Sequence, residues 1–298
     1  MKNSYVLIIG GTGFVGGVLA DALKSKGYKN VHSVSRSLHG VDVTDQKTLE
    51  PYISKADIVI NMAGLVSFFR KDFEKLMAIN HEGALNVLNI CERYKNVNRL
   101  IYISSTASFG FNSETIAENT KFNWEKYKFL GYSYSKFLPN EAIQLSRQET
   151  NIIYPPLVVG PEDQTNTKKL LDYVRGKKFI FAPPGANGII DVRDLCEAII
   201  LVMKKAKNKE NYIVNEQNIS LAGLFDALSR SLGQNSIIIK IPSFLRGLIF
   251  GFSVLLEKCG VSVPSESIFL GFKKRRFSSS KIKSDLGFTT KHDIKKLT

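Results

Sequence analysis

Cysteine is scarce in this chain. Cys91, Cys196 and Cys259 form an odd set with no Cys-x-x-Cys pair, which excludes a disulfide framework and fits buried thiols in a reducing compartment. Histidine is equally thin: His32, His39, His81 and His292 are scattered without metal-ligand spacing, so no metal site is expected. There is no Pro/Ser/Gly-rich linker, low-complexity block or repeat, which excludes linker-joined and solenoid architectures. Long apolar runs are missing too. Tyr5 to Ile9 is strand-length and stops at glycine, unlike a secretory signal, and a cytoplasmic location is expected. The other apolar stretch, Gly247 to Leu256, falls well short of the ~20 residues that cross a bilayer. Such a segment can still lie in a membrane interface or cover an apolar pocket, so peripheral membrane contact stays open.

What is present is ordinary globular composition over 298 residues, with 44% hydrophobic and 23% charged residues. Lysine and arginine outnumber aspartate and glutamate by 41 to 27, a formal charge of +14. That excess suits nucleic acid, an anionic membrane surface or a phosphorylated cofactor, or simply a solubilising lysine-rich surface. The lysines are spread along the chain without a nucleic-acid motif, so no nucleic-acid partner is expected.

The first half alternates apolar strands with helix-forming segments. Strands are expected at Val31 to Ser35, Val41 to Val43, Asp57 to Asn61, Arg99 to Ser104 and Asn151 to Tyr154. Helices are expected at Val18 to Lys26, 46–54, 73–94 and 124–149. This alternation implies an α/β fold with a Rossmann-like, doubly wound parallel sheet that binds ligand at the carboxyl ends of its strands. Residues 1–160 are assigned to that dinucleotide-binding unit, its sheet completed by 189–216, and 161–298 to a smaller, mostly helical substrate lobe.

The loop Gly10-Gly-Thr12-Gly13-Phe14-Val15-Gly16 follows the first strand and opens the first helix. There Gly10 permits the tight turn, Gly13 lets backbone amides approach a pyrophosphate, and Gly16 allows close packing of helix on strand. At the end of the second strand an NAD enzyme usually carries an acid for the ribose 2′-hydroxyl. This chain has Ser35-Arg36-Ser37 instead, and a guanidinium suits a 2′-phosphate, so NADP is preferred over NAD.

Tyr132 and Lys136 are four apart in a helix-favouring segment, so both leave one helix face. A phenol titrates near 10, and a neighbouring ammonium would move it toward neutrality. Taken singly, the spacing equally fits a packed tyrosine and a solvated lysine.

Together these residues resemble the extended short-chain dehydrogenase/reductase family, over nearly the whole chain. Asp42-Val43-Thr44-Asp45 is similar to its adenine-contacting segment, Asn61-Met62-Ala63-Gly64 to the loop under the nicotinamide ribose, and Asn80 to a helix residue beneath the active site. Ile103-Ser-Ser-Thr-Ala-Ser-Phe-Gly110 resembles the segment bearing the catalytic serine, which is Ser105 here. Pro155-Pro-Leu-Val-Val-Gly-Pro161, Ile190-Asp-Val-Arg-Asp-Leu195 and Phe277-Ser-Ser-Ser-Lys-Ile-Lys-Ser-Asp-Leu-Gly287 resemble later landmarks.

The resemblance implies a catalytic set of Ser105, Tyr132 and Lys136. It implies cofactor contacts from Gly10, Thr12, Gly13, Phe14, Val15, Gly16, Ser35, Arg36, Asp42, Val43, Met62, Ala63, Gly64, Asn80 and Pro155. It also implies pairing through the helices at 73–94 and 124–149 into a homodimer.

Two departures stand out: no room for an extra helix between Ser35 and Asp42, and Tyr154 where an arginine often precedes the proline. Thr106-Ala107 after Ser105 lacks the acid and base of a dehydratase, and Leu157 stands where nucleotide-sugar enzymes commonly carry asparagine. Phe68, Phe69, Phe109, Phe111, Trp124 and Tyr127 suggest an apolar or ring-shaped small-molecule substrate, or ordinary core packing. The closest look is to the dihydroflavonol reductase and 3β-hydroxysteroid dehydrogenase branch. An oxidoreductase acting on a hydroxyl/carbonyl pair is expected, with a nucleotide-sugar 4-epimerase and a non-catalytic dinucleotide sensor as the alternatives.

Overall fold

The computed structural model describes residues 1–161 and 163–292. Its centre is a six-stranded parallel sheet in the order β2-β1-β3-β4-β5-β9. The strands are β1 (Val6–Ile9), β2 (Val31–Val34), β3 (Ile58–Asn61), β4 (Arg99–Ile103), β5 (Thr150–Tyr154) and β9 (Tyr212–Ile213). β1 shows why these runs are strands. All four of its side chains are buried, with Val6 and Ile8 packing into the core on one face and Leu7 and Ile9 into that on the other. A parallel strand covered on both faces needs such a continuous apolar run, and each fully buried aliphatic side chain is worth about 1.5–3 kcal/mol.

Helices cover both faces. One layer contains α1 (Phe14–Ser25) and α8 (Val192–Lys205), which pack on each other. The other contains α3 (Gln46–Ile53), a helical run of α4 (Phe73–Leu76), a π-helical segment (Met77–Glu82) and α5 (Gly83–Arg93), and then α6 (Gly131–Leu145). The expected α/β, doubly wound fold is what the chain adopts.

The chain order turns outward from β1 to β2 on one side and to β3 on the other. At that switch point the loops after Ile9 and Asn61 open a crevice, where such folds bind ligands.

Four local expectations need correcting. Val41 to Val43 is not a strand: Asp42 N–H donates to Thr48 Oγ1 (2.9 Å) and Asp45 N–H to the Asp42 carbonyl (3.0 Å), so the segment turns. Its two valines are nevertheless buried in the core, which accounts for the apolar signal. The helix expected over 124–149 spans only Gly131–Leu145, because Trp124 to Leu130 folds into successive turns (Tyr127 N–H to Trp124 O, 2.9 Å; Leu130 N–H to Tyr127 O, 3.0 Å). The Ser35–Asp42 gap does hold one helical turn, α2 (Arg36–His39), closed by Gly40 at φ +66°. Of the thiols expected to be buried, Cys91 and Cys196 are, whereas Cys259 lies exposed just beyond a surface helix.

The remaining elements form the outer lobe. A three-stranded sheet β10-β8-β6 contains β6 (Leu157–Val159), β8 (Ala186–Asp191) and β10 (Gln217–Ser220), while β7 (Phe179–Ala182) pairs with β11 (Ile237–Lys240). Around them lie α7 (Asn166–Val174), α9 (Leu221–Ser231), α10 (Arg246–Lys258), α11 (Ser265–Gly271) and α12 (Ser280–Leu286). Among the described residues no helix is long and apolar enough to cross a membrane. Helix α10 buries only Ser253 fully and leaves Leu248, Phe252 and Leu255 exposed, in line with Phe244 before it.

Candidate active site

The glycine loop is built as its spacing requires. Gly10 sits at φ +83°, and a Cβ there would lie 2.9 Å from the Ala63 nitrogen. A Cβ on Gly16 would come within 2.5 Å of the Gly10 carbonyl oxygen. Gly13 caps α1 without a side-chain bond, which leaves first-turn amides facing the crevice, where the helix end favours an anion.

From this loop a cavity of about 370 Å³ runs across the ends of β3, β4 and β5 into the lobe. Of the residues singled out above, Gly10, Gly13, Phe14, Val15, Gly16, Met62, Gly64, Ser105, Tyr132, Lys136 and Pro155 line it. The cavity excludes Thr12, Ser35, Arg36, Asp42, Val43, Ala63 and Asn80. Arg36, largely exposed, pairs through Nε with Asp42 (3.1 Å), while Ser35 caps α2. Burial pushes the Asp42 carboxyl up, but bonds from Thr44 and the charge of Arg36 outweigh it and hold the group below the usual carboxylate range. Asn80 works from behind. Its Oδ1 accepts from Leu65 N–H (2.8 Å) and its Nδ2 donates to Leu65 O (2.9 Å) and Ser135 Oγ (3.0 Å), tying the loop after β3 to α6.

Ser105, two residues beyond β4, caps a short 3₁₀ turn, accepting from Ala107 N–H at 3.1 Å. It faces the same cavity as Tyr132 and pulls the phenol's pKa down. Lys136 is buried one turn along α6 and donates to the Ile103 carbonyl at 3.1 Å. A Cβ on Gly64 would lie 3.0 Å from its Nζ, so glycine leaves the space this ammonium occupies. Burial pulls the Lys136 ammonium down to about 8.

The phenol behaves differently from the simple spacing argument. Burial pushes Tyr132 above its ordinary value; Ser105 and Arg275 pull it down and Glu266 pushes it up. The cation that lowers it here is thus Arg275 from the far end of the chain.

Glu266 and Arg275 were not legible in the sequence. Glu266, on α11, accepts from Tyr132 N–H (3.1 Å), Ser133 N–H (3.2 Å) and Ser133 Oγ (2.9 Å). The carboxylate therefore caps α6, whose own N-cap, Leu130, has no side chain able to do so. Burial raises Glu266 to about 7. The one local hint of Arg275 was its place just ahead of the Phe277-Ser landmark.

The aromatic set resolves unevenly. Phe68 lines the cavity and meets Tyr132 edge-on, ring centroids 5.3 Å apart. Phe111, Trp124 and Tyr127 instead pack with Phe122, Phe269 and one another in a cluster beside it, and Phe109 packs on Tyr154. Core packing accounts for most of that signal.

Comparison with known proteins agrees with this geometry. The chain is 28% identical over 278 residues to an anthocyanidin reductase ((2S)-flavan-3-ol-forming) of Vitis vinifera, covering 77% of this chain and 81% of the relative. It is 24% identical to a dihydroflavonol 4-reductase of Callistephus chinensis, covering 97% and 83%. It is 27% identical to the N-acetyl-alpha-D-glucosaminyl-diphospho-ditrans,octacis-undecaprenol 4-epimerase of Escherichia coli O157:H7, covering 81% and 75%. The crystal structure of gox2253 superimposes with a TM-score of 0.79 at 25% identity, covering 96% of this chain and 93% of that one. Residues 6–215, from β1 through the last strand of the large sheet, match the NAD dependent epimerase/dehydratase family, and the chain belongs to that family.

Proposed function

We propose that the chain is an NADP-dependent reductase or dehydrogenase acting on a hydroxyl/carbonyl pair in a small, apolar or lipid-like molecule. The observation that carries this reading is the convergence of Ser105, Tyr132 and Lys136, one turn further along α6, on the cavity that begins at the glycine loop. The dinucleotide, when bound, supplies the hydride; Gly10 to Gly16 would hold its pyrophosphate and Arg36 a 2′-phosphate.

Tyr132 exchanges the proton with the substrate oxygen. Its raised pKa keeps the phenol protonated at neutral pH, which suits donation in the direction of reduction. Ser105 hydrogen-bonds the same oxygen and stabilises charge developing on it. Lys136 would hold the nicotinamide ribose. Val66, Phe68, Leu157 and Leu270 give the rest of the cavity an apolar wall, which supports an apolar substrate body.

A second reading, a sugar 4-epimerase using the same residues, is supported by the similarity to the undecaprenol-linked epimerase. Leu157 in place of the usual asparagine weighs against it.

The test is titration with NADPH and NADH, followed by a carbonyl library assayed at 340 nm with wild type and Tyr132→Phe. Net NADPH oxidation that falls by roughly 10²–10⁴-fold in the variant is expected. Equal turnover by both proteins would remove Tyr132 from the reaction, and tightly held, non-exchanging NAD without net absorbance change would favour the epimerase.

A further inference from the structure

Two polar atoms in the cavity wall have no partner among the described residues: Nε of Arg275 and Oδ1 of Asn187. The fold brings them together deliberately in register. Arg275 N–H donates to the Ala186 carbonyl at 2.9 Å, and Lys274 bridges Ala186, so Arg275 lies beside the strand on which Asn187 follows Ala186. Both residues line the same cavity as Tyr132.

The Arg275 side chain is costly where it stands. The residue is only 9% exposed, and burial lowers its guanidinium to about 10. The acid that acts on it is Glu266, but that carboxylate is engaged by the two α6 amides and the Ser133 hydroxyl. A buried donor without an acceptor costs free energy, and a buried charge without a bonded partner costs more. In a native chain such a group in a binding cavity points to an acceptor brought by the ligand. Guanidinium selects planar or tetrahedral oxyanions, which it binds through charge-assisted bonds. Asn187, whose amide offers donors as well as the orphaned oxygen, can complete the contact.

We propose that Arg275 and Asn187 form a subsite for an oxyanion, carboxylate or phosphate, carried by the substrate. The substrate is then amphipathic, with an apolar body against Phe68 and Leu270 and an acidic group at Arg275. This deepens the hydride-transfer reading and rests on it for the identity of the bound molecule as substrate.

The experiment measures binding without turnover, so that it can fail independently of that reading. Protein saturated with NADP⁺ is titrated by calorimetry with 2-naphthoate, 2-naphthyl phosphate and neutral 2-naphthamide. At least one anion binds tenfold or more tightly than the amide, and whichever anion wins identifies the source of the oxyanion. Arg275→Met brings the three probes within twofold of one another; Arg275→Lys and Asn187→Ala each keep part of the preference. If Arg275→Met fails to fold by circular dichroism, the two milder variants decide, each expected to lose threefold or more of the preference. Comparable affinities of all three probes for the wild type, including no measurable binding of any, overturn the proposal. So does a preference untouched by the substitutions. Loss of the Tyr132→Phe effect on turnover would remove the hydride-transfer reading while leaving these affinities as they are.

Discussion

The wall of the cavity built by the glycine loop and the wall built by the lobe solve the same problem in opposite ways. On the first, the groups that face the cavity are backbone. Gly10, Gly13 and Gly16 bring main-chain amides close, and β1, which leads into them, is buried on both faces. On the second, the proposed contact would come from side chains, Arg275 and Asn187, on strand and bridge segments of the lobe. A backbone site tolerates almost no added atom, whereas a side-chain site can be retuned residue by residue. That difference fits a common cofactor and a divergent substrate.

The comparison breaks most directly at Gly16. Gly16→Ala places a Cβ where the Gly10 carbonyl stands, and NADPH affinity measured by fluorescence titration should fall on the order of 100-fold, as a displacement of about an ångström does. Affinity within a few fold of wild type would mean that the loop can shift.

Lys136 gives the next largest effect, and it depends on pH. Its folded pKa is depressed to about 8 from 10.5, so between those values the unfolded chain binds a proton that the folded one has released. The stability it contributes is present above 10.5 and is lost as pH falls through about 8. In urea unfolding at pH 7 and pH 10, the stability of wild type relative to Lys136→Met should rise with pH by roughly 2 kcal/mol. A relative stability that does not change with pH would mean that the ammonium is not desolvated.

Arg36→Ala should weaken NADPH by roughly tenfold or more and leave NADH unchanged, since a bond to a charged group is worth about 1.5–3 kcal/mol. Equal losses for both cofactors would reduce Arg36 to the partner of Asp42 seen in the ion pair.

The smallest effect is expected on the lobe's outer face. Phe244→Ser combined with Leu248→Ser should change unfolding free energy by no more than about 0.5 kcal/mol per site. A loss above about 2 kcal/mol, with a change in mass by light scattering, would show that another surface covers this face in solution.

What could be read beforehand follows from how locally each feature is encoded. β1 and the glycine loop are contiguous, and Tyr132 and Lys136 share one helical turn, so a few neighbouring residues announce each of them. Val41 to Val43 misled because burial was read as strand: the valines are in the core, but their backbone bonds go to Thr48 and a turn. The early helix start at 124 misled for a related reason. Trp124 and Tyr127 are held by an aromatic cluster that includes Phe269, far along the chain, and they need no helix to reach it.

By itself the sequence determined the doubly wound sheet, the glycine-rich turn and the order of the Ser105, Tyr132 and Lys136 landmarks, because periodicity, glycine geometry and helical spacing act over a few residues. Only the tertiary structure decided what surrounds the phenol. Glu266 caps Tyr132 from 134 positions away, and Arg275 reaches the same cavity through a bridge to Ala186. Desolvation and charge depend on distance in space, and no local pattern in the chain records that distance.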